Sequence, residues 1–584
     1  MNNEYSNKNI GYTMYDFDDC EYKSNSGRLY HVEFEKIAKR SPKKCAFIFE
    51  NNEYTFSQIN EMSNSLAFYL REYGIKRNDI VPIICERSQF FVVAVLAIMK
   101  AGGAFVHIDP YYPEEHKMYL VSEVKAKLIL KYLSIPQKLF NTIDIFEYDL
   151  KNHDYHLNTD NLPLINQEED LCCVVFTSGT TGKPKGVLIN HFGLVNTCKF
   201  NEVYYLKKCV RDDIFSNILA ASKLSFTASI IEIFYSFYHQ IKVILCNNLE
   251  QNDPNLIGQL ITNFKIDLML SPPTRIKTYL NDSVFRNAIH HLKVLIFIAE
   301  NANLTILNEV SQYTNALLYN MYGLSEIYSM CLVEEINREY IINNKQITSG
   351  KPAYNYKIFI LDEEQKPVKV GVEGIVYIAS NMISKGYLND GKLTDDTFID
   401  CPFPHLKGTK MIKTGDIGKW TNDGKVIILG RRDFQVKIAG QKINIGEIEN
   451  ILKEIKALDY SVVVDKNDKN GNKFLACYYI TKKDISGRFI RNYLTKRIPS
   501  YMIPKYYKKI DKIPMNDNGK FNRSKLPDID NNVDIIYEDV VEPITVTEKK
   551  LCKILSKILN INCIYIGCNS NFYELGGDSL NVIQ

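Results

Sequence analysis

The chain has 584 residues, 45% hydrophobic and 24% charged, which is too long for one core, so two or more domains are expected. Its 71 basic residues against 68 acidic ones leave a net charge of +3, which removes any electrostatic case for nucleic acid or an anionic membrane as partner. Fourteen scattered cysteines show no C-x-x-C pair and no Cys/His cluster at zinc spacing; with a polar leader at 1–27 and no apolar run longer than Phe90–Met99, they predict reduced thiols in a cytoplasmic protein.

From residue 28 the chain alternates between helical and strand patterns. Tyr54–Tyr73 reads as an amphipathic helix opened by Thr55, with apolar positions three and four apart. Val81–Cys85 and Ala104–Ile108 read as short strands flanking a helix over Phe90–Ala101. Leu171–Phe176 reads as a buried strand. This alternation continues to about residue 400 and predicts a layered α/β domain over 28–432. Between about 370 and 440 the texture changes to short strands with Gly and Asp turns, a small β-rich part. A smaller α/β unit is expected over 433–526, an acidic, turn-rich linker over 527–543, and a new helix starting at Thr545 or Thr547 that begins a segment over 544–584.

The chemistry-bearing run comes straight after the Leu171–Phe176 strand: Thr177, Ser178, Gly179, Thr180, Thr181, Gly182, Lys183, Pro184, Lys185, Gly186. A glycine-rich turn leaving a strand lets backbone N–H groups converge on phosphate oxygens, and the two lysines add charge. The spacing is not that of a Walker loop. Four further segments belong with it. Asn320-Met-Tyr-Gly-Leu-Ser-Glu326 sets a carboxylate after a glycine turn, and Lys413-Thr-Gly-Asp416 sets another acid in what reads as a tight turn. Gly430-Arg-Arg-Asp433 supplies an arginine and an acid before a strand that ends at Gly440. Asn518-Gly-Lys520 places a lysine on a hairpin-like turn.

In this order, and with Lys100-Ala-Gly-Gly-Ala-Phe-Val-His-Ile-Asp-Pro110, Gly386-Tyr387 and Pro499-Ser-Tyr-Met-Ile-Pro504, the chain from about Arg28 to Pro527 resembles the adenylation domains of nonribosomal peptide synthetases. These belong to the adenylate-forming, acyl-CoA synthetase and luciferase-like superfamily. Asn571-Phe-Tyr-Glu-Leu-Gly-Gly-Asp-Ser579 is similar to a phosphopantetheine attachment site. The resemblance implies a large N-terminal subdomain, a small mobile C-terminal one hinged at Asp433, and part of a helical carrier domain. It implies that the loop from Thr177 holds ATP phosphates, with Tyr322 and Ser325 also at the nucleotide, Glu326 binding Mg²⁺, Asp416 taking the ribose hydroxyls and Arg431 reaching the ribose and phosphate. Lys520 would contact the α-phosphate and the substrate carboxylate, and Ser579 would carry 4'-phosphopantetheine. The implied partners are a small carboxylic acid, a phosphopantetheinyl transferase and downstream synthetase domains beyond the half carrier seen before Gln584. Nothing before residue 28 looks like a condensation domain, which points to a loading or stand-alone module.

One departure bears on the substrate. Family members that take α-amino acids carry Asp in the Phe-Asp-x-Ser segment, where it pairs with the ammonium; here the segment is Phe226-Thr-Ala-Ser229, with Thr227 at the acid's position. The other matched pocket positions, Ala228, Ile231, Leu270, Leu295, Phe297, Met321, Ser329 and Met330, bring no carboxylate, and Ile298 should narrow the pocket. An unpaired ammonium in apolar surroundings loses solvation with nothing charged to replace it. A 2-hydroxy, 2-keto or simple branched or aliphatic acid is therefore expected, the rival being an amino acid held by the Thr227 hydroxyl and backbone carbonyls. Leu324 and Ala439 stand where the family has proline and arginine. A free acid–CoA ligase and a non-catalytic module of the same fold are the other readings.

Overall fold

A computed structural model describes residues 29–575 except 136–137, 141–144, 178–183, 201–215, 301, 303, 329, 344–346, 354, 407, 432–434, 439, 468–472, 482, 484, 512–513, 515–525, 530–540, 560–561, 564–565, 569, 571 and 573–574. The chain divides into two compact units, one made mainly of residues up to 433 and the other mainly of residues from 434 onward.

The first unit is built on three sheets. A nine-stranded sheet runs in the order Lys351–Pro352, Leu332–Ile336, Leu317–Tyr322, Val294–Phe297, Leu268–Ser271, Asn217–Ala220, Lys242–Leu245, Cys45–Phe49, Asn52–Thr55. Its middle strands are parallel and apolar on both faces, as helix-covered parallel sheets require. A six-stranded sheet runs Phe146–Asp149, Leu128–Tyr132, Ile80–Cys85, Ala104–His107, Leu171–Thr177, Lys185–Asn190. Helix Gln89–Ala101 is apolar all round and buried along nearly its whole length, so it belongs inside the layers, not on their surface. Helix Phe56–Tyr73 starts where the sequence places it. Thr55 accepts from the Gln58 N–H while the Gln58 side chain accepts from Thr55 N–H, and Gly74 closes the helix in the left-handed region.

The third sheet joins Lys357–Leu361, Gly374–Ala379, Lys410–Trp420 and Phe398–Asp400, with Val426–Arg431 added along Lys410–Trp420. Here Lys413–Asp416 is not a tight turn but the middle of an eleven-residue strand. Register with Gly374–Ala379 slips between Ile375 and Tyr377, and Gly415 sits at φ +76°. The Thr414 hydroxyl donates to Val376 O and accepts from Asp416 N–H, filling the gap. The glycine therefore serves a bulge, and the bulge aims Asp416 inward.

In the second unit, strands Tyr460–Asn467, Lys473–Ile480 and Tyr506–Lys509 form a sheet beside the hairpin Gln435–Ile438/Gln441–Asn444. Val463, Leu475 and Cys477 face a core with Ile448 and Leu452 of helix Ile445–Lys453 and Ile490 and Leu494 of helix Gly487–Thr495. The alternate residues, Val462, Val464, Ala476 and Tyr478, share the other face with Cys552 and Leu559 of helix Val546–Leu559. A two-residue period thus gives one sheet two cores. Helix Val546–Leu559 opens with Thr545 and Glu548 capping each other.

Candidate active site

Thr177 ends its strand and is the register partner of Lys185, which begins the neighbouring antiparallel strand. The Thr177 Oγ1 atom is buried and no described residue hydrogen-bonds to it. Segment 385–388 runs along the second of these strands, Leu188 N–H donating to Gly386 O and Leu388 N–H to Gly186 O. Gly386 has φ +110°, and a Cβ there would lie 2.4 Å from Thr394 Cγ2, so both conformation and space demand glycine.

This pairing delivers Tyr387 to Lys185 and Glu326. Its hydroxyl donates to Glu326 Oε1 at 2.8 Å and accepts from Lys185 Nζ at 2.8 Å, while Lys185 Nζ lies 3.2 Å from the same carboxylate oxygen. Glu326 sits on the short 3-10 turn Ser325–Ile327 and is 3% exposed, with Ser325 beside it. Burial, and then the adjacent Glu326 charge, push the Tyr387 phenol far above its ordinary range, so it remains a donor to that carboxylate. Sequence reading noted Tyr387 only as part of a matched dipeptide. Its pairing with Lys185, 202 residues away, has no local signature.

A second cluster lies at the bulge. Tyr322, the last residue of its strand, donates its hydroxyl to Asp416 Oδ2, and Arg431 Nη1 donates to Oδ1 at 3.4 Å. Asp416 and Arg431 are register partners, so the ion pair is set by strand pairing. Asp416 is 3% exposed, and each carboxylate oxygen keeps a lone pair for a further donor. The structure thus brings together Thr177, Lys185, Ser325, Glu326 and Tyr387 as one group and Tyr322, Asp416 and Arg431 as another. Ser178, Gly179, Thr180, Thr181, Gly182, Lys183, Ser329, Asp433, Lys520 and Ser579 lie outside the described residues, as does Ala439.

The donor set fits a nucleotide and Mg²⁺. Magnesium takes oxygen ligands and is commonly held by one or two carboxylates plus phosphates and water. Glu326 supplies such a carboxylate, and no group of three or more His, Cys, Asp or Glu among the described residues is placed to hold a metal without that help.

The acid-pocket candidates divide between two faces. Leu270 pairs with Ile296, and Ile296 with Tyr319, so Leu270, Ile296, Ile298 and Met321 share one face of the nine-stranded sheet. They pack in one core with Ile231 and Met330, and Ala228 lies against it. Leu295 and Phe297 point to the opposite face, and Ile296, between them, stands on the face of Leu270 and Met321. Val294–Phe297 is buried on both sides, so no hydrophobic alternation marked its faces. Thr227 and Ala228 lie on the turn after strand Asn217–Ala220, where Ser229 N–H donates to Phe226 O and Ile230 N–H to Thr227 O. Thr227 is half-buried, and no described residue hydrogen-bonds to its hydroxyl. Beside this turn is a cavity of about 10 Å³, room for one water, lined in part by His107, Ser225 and Phe226.

The family described as AMP-binding enzyme matches residues 34–388, its C-terminal domain matches 447–520, and a phosphopantetheine attachment site matches 549–584. Gramicidin S synthase 2 of Brevibacillus brevis is 34% identical over 564 residues, 95% of this chain and 12% of that protein. Tyrocidine synthase 1 of Brevibacillus parabrevis is 31% identical over 563 residues, 96% of this chain and 50% of that protein. The chain therefore spans half or less of the length of these relatives. Among solved structures, holo-PA1221, an NRPS protein containing adenylation and PCP domains, superposes with a TM-score of 0.80 at 20% identity, covering 95% of this chain and 91% of that one. A fused adenylation–PCP di-domain from Klebsiella oxytoca gives 0.73 at 21%, covering 95% and 93%, so both share the fold. No helix among the described residues is long and apolar enough to cross a membrane. Sequence profile, relatives and architecture agree: the chain belongs to the AMP-binding enzyme family, as an adenylate-forming adenylation domain followed by a carrier domain.

Proposed function

We propose that this chain activates a small carboxylic acid lacking an α-ammonium group, using ATP and releasing pyrophosphate, and passes the acyl group to the phosphopantetheine thiol on Ser579. The observation that carries the substrate reading is that the described residues on the pocket face bring no carboxylate to Thr227. Leu270, Ile296, Ile298, Met321 and Met330 are apolar. The buried acid nearest in sequence, Glu232, already accepts from Ser222 N–H and Oγ–H. An ammonium brought there would lose hydration without a counter-charge.

The chemistry sets two demands. A carboxylate attacking the α-phosphate brings anion to anion, so positive charge must be in place beforehand. Lys185, Arg431 and, by resemblance, Lys520 supply it, and Mg²⁺ at Glu326 adds Lewis-acid charge when bound. Asp416, fixed by Tyr322 and Arg431, takes the ribose hydroxyls, and holding nucleotide and acid side by side supplies proximity. The second step needs a thiol where Lys520 had been, which a hinge at Asp433 allows; a carrier on the same chain raises the thiol's effective concentration. A phosphopantetheinyl transferase is the partner that loads Ser579, and downstream synthetase domains are the expected acceptors.

ATP–pyrophosphate exchange across matched 2-hydroxy, 2-keto and amino acids tests the substrate reading. Exchange confined to α-amino acids overturns it and favours Thr227 and backbone carbonyls as the amine's partners. Turnover with free coenzyme A that equals the rate on the loaded carrier would identify an acid–CoA ligase instead.

A further inference from the structure

Strand Asn217–Ala220 leaves the nine-stranded sheet through three residues, Ala220, Ala221 and Ser222, before the turn that carries Phe226, Thr227 and Ala228. Every one of those residues is held by a charged side chain. Arg87, 5% exposed, donates Nη2 to Ala220 O, Nη1 to Ser222 O at 2.6 Å and Nε to Cys246 O at 2.7 Å. Arg275 Nη1 reaches Ala221 O at 3.2 Å, and the Gln251 amide reaches the same oxygen at 2.9 Å. From the other side Glu232, with no exposed surface, accepts Ser222 N–H at 3.0 Å and Ser222 Oγ–H at 2.7 Å. Residue 222 thus has its N–H on a carboxylate and its carbonyl on a guanidinium.

Glu232 lies in a π-helical turn, Ile230–Tyr235, directly after the Thr227 turn. The wider turn puts Ile231 in the pocket-face core and Glu232 under Ser222. We infer that Glu232 is a positioning residue for the acid pocket, tying the entry of the Thr227 turn (Ser222) to its exit (Ile231) so that pocket width is set before the acid arrives. The inference rests on the pocket reading above. It needs no contact between Glu232 and the acid.

The clamp also makes acid binding depend on pH. Burial raises the Glu232 carboxyl to about 7, against the lowering pull of the Ser222 donors and Arg87. Around it stand Arg87 ahead of helix Gln89–Ala101, the Cys246 thiol after strand Lys242–Leu245, and, a shell further out, Arg275 and Glu250. Below about pH 7 the group gains a proton, loses its charge-assisted bonds to Ser222 and loosens the turn; above it the clamp is at full strength.

Two measurements on the full chain test this. Hydrogen exchange of the segment 221–230 needs no substrate. Glu232→Gln should speed it about tenfold, the equivalent of one lost charge-assisted bond, with segment 317–322 unchanged. Ser222→Ala, which removes only the hydroxyl donor, should give a smaller increase in the same place. After correction for intrinsic rates, wild-type protection should fall below pH 7 and the Glu232→Gln profile should be flat. In pyrophosphate exchange with 2-hydroxyisovalerate, Glu232→Gln should raise KM for the acid about tenfold and leave KM for ATP within about twofold. Unchanged protection, or faster exchange spread evenly over the nine-stranded sheet, overturns the inference. Thr227→Phe separates the two readings, because it fills the pocket without touching the clamp. If it leaves the acid's KM unchanged the pocket reading fails, while the exchange result still decides whether Glu232 positions the turn.

Discussion

Removing the Tyr387 hydroxyl tests the Lys185–Glu326–Tyr387 cluster, and the nucleotide role proposed for it, most directly. In Tyr387→Phe the ring stays and only the oxygen between Lys185 Nζ and Glu326 Oε1 is lost, with its two 2.8 Å bonds. Bonds to charged groups contribute about 1.5–3 kcal/mol each. The direct Lys185–Glu326 contact at 3.2 Å survives and can shorten, recovering part of that. A net loss of about 2–3 kcal/mol is expected, shared between stability and the placing of Glu326. If about half falls on Glu326, KM for MgATP rises about tenfold. The assay is pyrophosphate exchange with ATP and Mg²⁺ varied at saturating acid. A KM for MgATP within about twofold of wild type, or an effect on the acid's KM instead, would refute the role given to this cluster.

Thr227→Asp should bring in the missing counter-charge and shift exchange toward α-amino acids relative to 2-hydroxy acids by about tenfold or more, read as the ratio of kcat/KM for matched pairs. Ala299 has φ +66°, a conformation that costs a residue with a Cβ about 1 kcal/mol, so Ala299→Gly should raise thermal stability by about that amount. The single tryptophan, Trp420, is 2% exposed in the first unit and reports that melt by fluorescence. In the second unit the buried Glu447 carboxyl is pushed up by burial to about 8 from an ordinary 4.5, and its Oε2 has no partner among the described residues. The unfolded chain ionises first, so this carboxyl's contribution to stability is full below pH 4.5 and is lost as pH rises toward about 8. Glu447→Gln should flatten that slope, measured as urea-dependent hydrogen exchange of helix Ile445–Lys453 at pH 5 and pH 8.

Much of this was legible from residues in local order. Thr55 with Gln58, and Thr545 with Glu548, mark helix starts within a few positions, because a cap is made by neighbours. Lys185, Glu326, Asp416 and Arg431 stand out in the sequence because each sits in a distinctive residue order, and the structure brings them into two clusters, while residues 178–183 lie outside the described residues. What failed did so for physical reasons. Val294–Phe297 is apolar at every position, so whether Leu295 or Ile296 shares a face with Leu270 needed the register, which only strand pairing supplies. Gly415 looks like a turn glycine because bulges and turns make the same demand for positive φ. The Lys185–Glu326–Tyr387 cluster joins three segments far apart in the chain, and no local pattern announces such a meeting.

Thr177 and Lys185 face each other across one pair of strands, so the two flanks of the glycine-rich run are held at adjacent points of one sheet. The entropy of bringing the loop's ends together is therefore met when the six-stranded sheet forms, not when nucleotide binds. Loop and frame become separable parts. A loop of related sequence grafted between these two residues inherits their spacing, so changes in nucleotide affinity among such grafts measure the loop alone.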